Sequence, residues 1–128
     1  MNSIALVCAA AMGLLLFGLG LAVSALRMRS GTFNAGAVAV DSVLQRVVRA
    51  HGNTAEFVPL LVVLVLFLGA RNPPAWTVVC IVGATICRFL LVIGLVFAGS
   101  MSRPNPLRFV GALGTYLFGA ALCLALIR

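Results

Sequence analysis

Four long apolar runs organise this chain: roughly Ser3–Leu26, Val47–Ala70, Ala75–Ala98 and Leu107–Ile127. Each holds 20 or more residues. At about 1.5 Å per residue, such a run crosses a hydrocarbon core about 30 Å thick as a helix. Turn-forming residues separate the runs. Arg71-Asn72-Pro73-Pro74 parts the second from the third, and Gly99-Ser100 through Pro104-Asn105-Pro106 parts the third from the fourth. The first connection, Arg27 to about Val40, is the longest and carries Gly31, Asn34 and Gly36. Asp41 or Ser42 is placed to cap the second helix, whose first turns would stand above the bilayer. The pattern predicts an all-α integral membrane protein: one domain over residues 1–128, built as an antiparallel bundle of four transmembrane helices. The first run has Val23-Ser24-Ala25 where a signal peptide would be cleaved. No basic residue precedes it, however, and it exceeds the roughly 7–15 residues of a signal peptide's apolar region, so it is read as a membrane helix.

One polar stripe interrupts the pattern. Arg46, Arg49, Asn53 and Glu56 are spaced three, four and three apart at the entry to the second span. At 100° per residue they share one helix face within an arc of about 80°. Ionisable groups are costly in lipid, about 2.5–3.5 kcal/mol at the centre of a span, so this face is expected to look into the bundle or a subunit interface. His51 points roughly the other way and is assigned an interfacial or packing role. Pro59, just beyond the stripe, removes one backbone donor and leaves the Ala55 carbonyl without its usual partner. The resulting kink either helps open a cavity beside Glu56 or serves packing alone.

Hairpin arithmetic relates the other deep polar groups to this stripe. With Asn72 as a hairpin tip, Glu56 lies 16 residues before it and Arg88 16 after, which places the two at one depth. They are therefore expected to be ion-paired or to share one ligand, since each alone would be costly. The same reckoning about Ser102 puts Tyr116 level with Arg88, and Arg108 level with Arg49 near the membrane boundary. The expected site is a pocket with a carboxylate and an arginine deep inside and two or three arginines at its mouth. Such a lining suits a small polar molecule with several carboxylates and a free amine. Apolar walls open to lipid would admit a greasy second substrate.

Composition narrows the choices further. Only 9% of the 128 residues are charged, against about 25% in soluble domains, and mean hydropathy is +1.22. The net charge of +7 is carried by arginine, with no lysine. The arginines punctuate apolar runs and form no basic face, which argues against nucleic acid as a partner. Arg27, Arg29, Arg46, Arg49, Arg103 and Arg108 flank the first and third connections, while Arg71 and Arg128 lie on the opposite side. The positive-inside rule then puts both termini outside and the stripe on the cytoplasmic half. Cys8, Cys80, Cys87 and Cys123 all fall in apolar runs without a C-x-x-C pair, and the single histidine offers no metal cluster, so no metal is expected. Gly111, Thr115 and Gly119 make a small-xxx-small face on the fourth span, for packing within the chain or against another subunit.

The stretch LQRVVRAHGNTAEFVP, Leu44 to Pro59, resembles the signature of the MAPEG superfamily, the membrane-associated proteins in eicosanoid and glutathione metabolism. The likeness extends to four spans of matching length, an arginine in the third, and LRFVG (Leu107 to Gly111) opening the fourth; it is most similar to the short bacterial members. The resemblance implies a homotrimer in a bacterial inner membrane, with glutathione as cosubstrate held between neighbouring subunits on the cytoplasmic side. By that resemblance Arg49, Asn53 and Glu56 match glutathione contacts on the second helix, and Arg88 matches the third-helix arginine of the prostaglandin-type members. Arg108 matches both a glutathione contact and the catalytic arginine credited with stabilising the thiolate, and Arg27 or Arg29 is aligned with a further contact. A free cysteine-like thiol has a pKa of about 8.5, and an adjacent guanidinium lowers it.

This sequence also departs from the family pattern. Phe57 and Phe97 stand where some active members carry tyrosines, Gly52 replaces a basic residue, and Gln45 replaces an acidic one. The leading expectation is a glutathione-dependent transferase or peroxidase acting on lipophilic electrophiles. The alternative of a non-catalytic lipid-binding or scaffold protein with the same fold stays open. A small proton-coupled multidrug exporter is a third class; its carboxylate would have to titrate freely, whereas Glu56 has Arg88 at its level.

Overall fold

The computed structural model describes residues 1–34, 36 and 38–127. Four helices follow one another: α1 (Ser3–Ser30), α2 (Val43–Gly69), α3 (Ala75–Val96) and α4 (Pro106–Leu126). Each is long and apolar enough to cross a membrane, and the chain is an integral multi-pass membrane protein. Arg128, one of the charges assigned above to the opposite side, lies outside the described residues.

Two helices outrun their apolar runs, and the polar residues at their ends explain why. α1 starts on Asn2, whose Oδ1 accepts the N–H groups of Ile4 (2.9 Å) and Ala5 (3.2 Å). It continues past Leu26 to Ser30, with Arg27 and Arg29 in its last turn, where cations favour the negative end of the helix, and Gly31 at φ 64° ends it. α2 begins four residues ahead of the apolar run. Ser42 is its cap, accepting the Gln45 N–H at 3.1 Å, while Gln45 Oε1 accepts the Asp41 N–H at 2.7 Å. Of the two residues expected to compete for this cap, Asp41 is turned to another purpose. α4 opens on an Asn-Pro pair: Asn105 Oδ1 accepts from Leu107 N (2.9 Å) and Arg108 N (3.4 Å), and Pro106 occupies the first helical position, where no N–H is needed. Pro59 lies inside α2, which continues through it.

The helices run antiparallel; the Asn2 N–H, at the start of α1, donates to Gly69 O at the end of α2 (2.8 Å). α2 and α3 touch each other in the middle of the bundle. α1 packs on both from one side and α4 on both from the other, so α1 and α4 do not meet. One apolar cluster, including Met12, Val65, Ile81 and Leu122, fills the end near the termini, and a second, including Leu19, Val47, Leu91 and Leu95, fills the arginine-rich end.

Lipid supplies little hydrophobic drive for helix association, so close backbone approach has to hold the bundle. A methyl group on Gly111 would stand 2.5 Å from Leu91 N and 2.8 Å from Cys87 O, and one on Gly94 would stand 2.8 Å from Arg108 N. Thr115 is buried and returns its hydroxyl to Gly111 O (2.7 Å), satisfying it within the helix. The Gly111–Thr115–Gly119 face therefore packs within the chain, with Gly119 beside Leu61. His51 lies over Gly20 of α1, on the far side from the polar stripe.

Gly111→Ala is expected to destabilise the bundle by about 1–3 kcal/mol in detergent unfolding, because backbone atoms would have to move. Gly13→Ala, which would meet nothing within 4 Å, should stay within about 0.5 kcal/mol of the parent. Equal effects from the two substitutions would contradict the close α3–α4 approach.

Candidate functional site

The polar stripe on α2 divides its work. Arg46 turns to the α3–α4 loop, donating from Nη1 to Ala98 O. Arg49, Asn53 and Glu56 line a groove of about 990 Å³ together with Arg108 on α4. Leu91 and Leu95 of α3 form its floor, Phe109 and Ala112 of α4 add apolar surface, and the loop from Met101 to Pro106 makes the remaining wall. Arg103 from that loop adds a further arginine to the lining. Arg108 is anchored, since its Nη1 donates to Met101 O at 3.0 Å. Arg49 and Glu56 are exposed to the groove.

Arg88 stands behind this surface, 1% exposed. Its Nη2 donates to Asn53 Oδ1 at 2.8 Å and more weakly to Thr54 Oγ1 at 3.4 Å. Nε and Nη1 are buried and have no hydrogen-bond partner among the described residues. The guanidinium lies 5.3 Å from the centre of the Phe57 ring, and Phe57 meets Tyr116 with ring centres 5.6 Å apart. The level predicted for Tyr116 is thus the observed one.

The direct Arg88–Glu56 pair expected from hairpin depth is not formed. Depth arithmetic places residues along the bilayer normal but says nothing of their direction around the helix. Asn53, one turn earlier, faces α3, while Glu56 opens onto the groove. Within one chain neither Arg27 nor Arg29 lines the groove; Arg27 Nη1 donates from the end of α1 to Phe33 O at 3.3 Å. Phe97 is 79% exposed at the end of α3 and is absent from the groove lining.

Four of the five residues singled out from sequence, Arg49, Asn53, Glu56 and Arg108, therefore share one groove, and the fifth, Arg88, reaches it through Asn53. The family model for MAPEG proteins matches residues 5–128. The chain belongs to the MAPEG family. Among curated proteins none matches the sequence. MAPEG proteins include glutathione-dependent transferases and peroxidases as well as non-catalytic members. Membership, and not any Glu56–Arg88 pair, is what displaces the small-exporter reading.

Sequence reasoning missed the loop wall and the residue that ties it down. Asp41 Oδ1 accepts the Met101 N–H and Oδ2 accepts the Ser100 hydroxyl, both at 2.8 Å. The Met101 N–H and then the Ser100 hydroxyl hold the Asp41 carboxyl below the usual carboxylate range, with Arg46 assisting, so it is ionised at neutral pH. The available signal was scarcity: the chain has only two acidic residues, and the one not on the stripe was left with a cap that Ser42 already supplies. Among the described residues no three of His, Cys, Asp and Glu gather as a metal site.

Proposed function

We propose that this MAPEG protein is a membrane-bound glutathione-dependent transferase or peroxidase acting on lipophilic electrophiles. The observation that carries the reading is the convergence of Arg49, Asn53, Glu56 and Arg108 on one groove. Its volume of about 990 Å³ lies at the upper end of the roughly 300–1,000 Å³ typical of small-molecule sites, room for a tripeptide and part of a second substrate. The donor set fits glutathione chemically. Arg49 and Arg103 present guanidinium forks to its two carboxylates, and Glu56 is free to receive its ammonium. Arg88, buried behind the groove, acts on it through Asn53, whose Oδ1 its Nη2 holds at 2.8 Å, so that the Asn53 amide is oriented toward a ligand seated beside it.

Bound glutathione supplies a sulfur nucleophile whose proton passes to water; its lone pair forms the bond to the electrophilic carbon as the bond to the leaving group breaks, and that group departs with its electron pair into water. Arg108 stabilises the thiolate electrostatically and exchanges no proton itself. Leu91, Leu95, Phe109 and Ala112 hold the apolar substrate against it. In the homotrimer of the family arrangement, glutathione lies between subunits, and a neighbouring copy would close the open side of the groove. Six arginines, Arg27, Arg29, Arg46, Arg49, Arg103 and Arg108, flank the two connections at the groove end. That supports a cytoplasmic site with both termini outside.

One observation favours the non-catalytic reading. Phe57, at a position where some active relatives use a tyrosine, is packed between Arg88 and Tyr116 and offers glutathione no hydroxyl. Purified protein separates the two. Glutathione at about 100 times its Kd should stabilise the fold by about 2.7 kcal/mol, and the protein should conjugate a model electrophile. Stabilisation without conjugation favours the scaffold, and the absence of both defeats the glutathione reading.

A further inference from the structure

Asp41 lies outside the groove, one residue ahead of the α2 cap, and the chemistry proposed above makes no use of it. Its backbone adopts φ 57°, an uncommon conformation for a residue other than glycine, and Gln45 Oε1 holds its N–H. Such backbone outliers, held by their surroundings, concentrate at functional positions. Both carboxylate oxygens are committed to the α3–α4 loop, one on the Met101 N–H and one on the Ser100 hydroxyl. Met101 in turn offers its carbonyl to Arg108 Nη1. A continuous path therefore runs from the start of α2, through the backbone of one loop residue, to the guanidinium in the groove.

The loop from Phe97 to Asn105 contains no helix or strand, so contacts made from outside set its position. Arg46 contributes one such contact at Ala98, and Asn105 another at Gly94 O (3.5 Å). Asp41 contributes the two at its centre, and they are charge-assisted, hence the stronger kind. The loop also forms one wall of the groove, so its placement governs both the mouth and Arg108.

We infer that Asp41 is a positioning residue for Arg108: by way of Met101 it fixes the α3–α4 loop and thereby the location of the Arg108 guanidinium relative to a thiol in the groove. The inference rests on the glutathione reading. A guanidinium lowers a thiol's pKa only from close range, and a displacement of about 1 Å at a reacting centre can cost about a hundredfold in rate. A residue that merely stiffened the loop would leave the ionisation of a bound thiol where it was.

The test is the ultraviolet thiolate absorbance of glutathione bound to the full-length protein in detergent, recorded against pH, alongside kcat and KM. Asp41→Ala should move the bound thiol's titration up by about one pH unit, leaving about threefold less thiolate at pH 7 if the parent's bound thiol titrates at about 6.5, and lower kcat to match while KM for glutathione changes little. Asp41→Asn keeps an acceptor for the Met101 N–H and should recover most of the loss. Ser100→Ala removes one of the two carboxylate contacts without touching the α2 cap, and decides the matter if Asp41→Ala fails to fold: a smaller upward shift supports the inference, and none overturns it. A wild-type thiolate signal that Asp41→Ala leaves unmoved overturns the inference and spares the function. A wild-type protein with no thiolate signal defeats both.

Discussion

Replacing Arg108 with alanine is expected to lower turnover by about 10²–10³-fold, the range seen when one preorganised charge stabiliser is removed, while glutathione affinity changes little. Ionisation alone does not reach that figure. A guanidinium that lowers the thiol pKa from about 8.5 to about 6.5 raises the thiolate fraction at pH 7 from about 3% to about 76%, a gain of about 25-fold. The rest comes from holding the sulfur in one place, and Arg108 is suited to that because Met101 O fixes its own position. Arg108→Lys keeps a charge but not the planar fork and should fall between the two. Single-turnover rates and calorimetric affinities measured together check the assignment. Parallel loss of rate and binding would show that Arg108 only holds the ligand.

The largest effect on stability is expected at Asn53. Removing its amide leaves the buried Arg88 guanidinium with one weak contact, to Thr54 at 3.4 Å. Leaving a buried charged group without its hydrogen-bond acceptor costs about 3 kcal/mol, so Asn53→Ala should unfold far more readily than the parent. Arg88→Met should behave in the opposite way. It exchanges an expensive buried cation for an apolar chain of similar reach, which is often neutral or favourable, yet it removes the donor that orients Asn53 in the groove. The asymmetry is the diagnostic: Asn53→Ala fragile, Arg88→Met sturdy but weak in glutathione binding. Detergent unfolding and a binding isotherm for each variant suffice, and an Asn53→Ala protein as robust as the parent would show that Arg88 has another partner.

The contrast between what sequence disclosed and what it concealed has a physical basis. Apolar runs of membrane-spanning length leave little choice of architecture, because only helices satisfy their own backbone in lipid, and the four spans appear where expected. Helix ends were less legible. α1 and α2 reach past their apolar runs on the strength of Arg27, Arg29 and Ser42, polar residues that look like connection until their capping is seen. Level was legible and direction was not. Counting from hairpin tips put Tyr116 level with Arg88, and Phe57 touches both, but the same count could not tell that α2 turns Asn53 onto Arg88 and opens Glu56 onto the groove. The Asp41 contacts reach 60 residues along the chain to Met101, and no local pattern encodes a bond of that kind.

The glycines that press α3 against α4 also decide where the bundle is most open. α3 and α4 are joined through Gly94 and Gly111 with backbones nearly touching, whereas α2 and α4 share the sparsest contact of any touching pair of helices in the bundle. The groove follows that sparse α2–α4 contact, with Arg49, Asn53 and Glu56 on one bank and Arg108 and Phe109 on the other. The α2–α3 core and the Asn53–Arg88 bond hold those two helices together, so a substrate of the proposed kind would find its widest opening along the α2–α4 seam and its firmest wall in the glycine-packed α3–α4 hairpin.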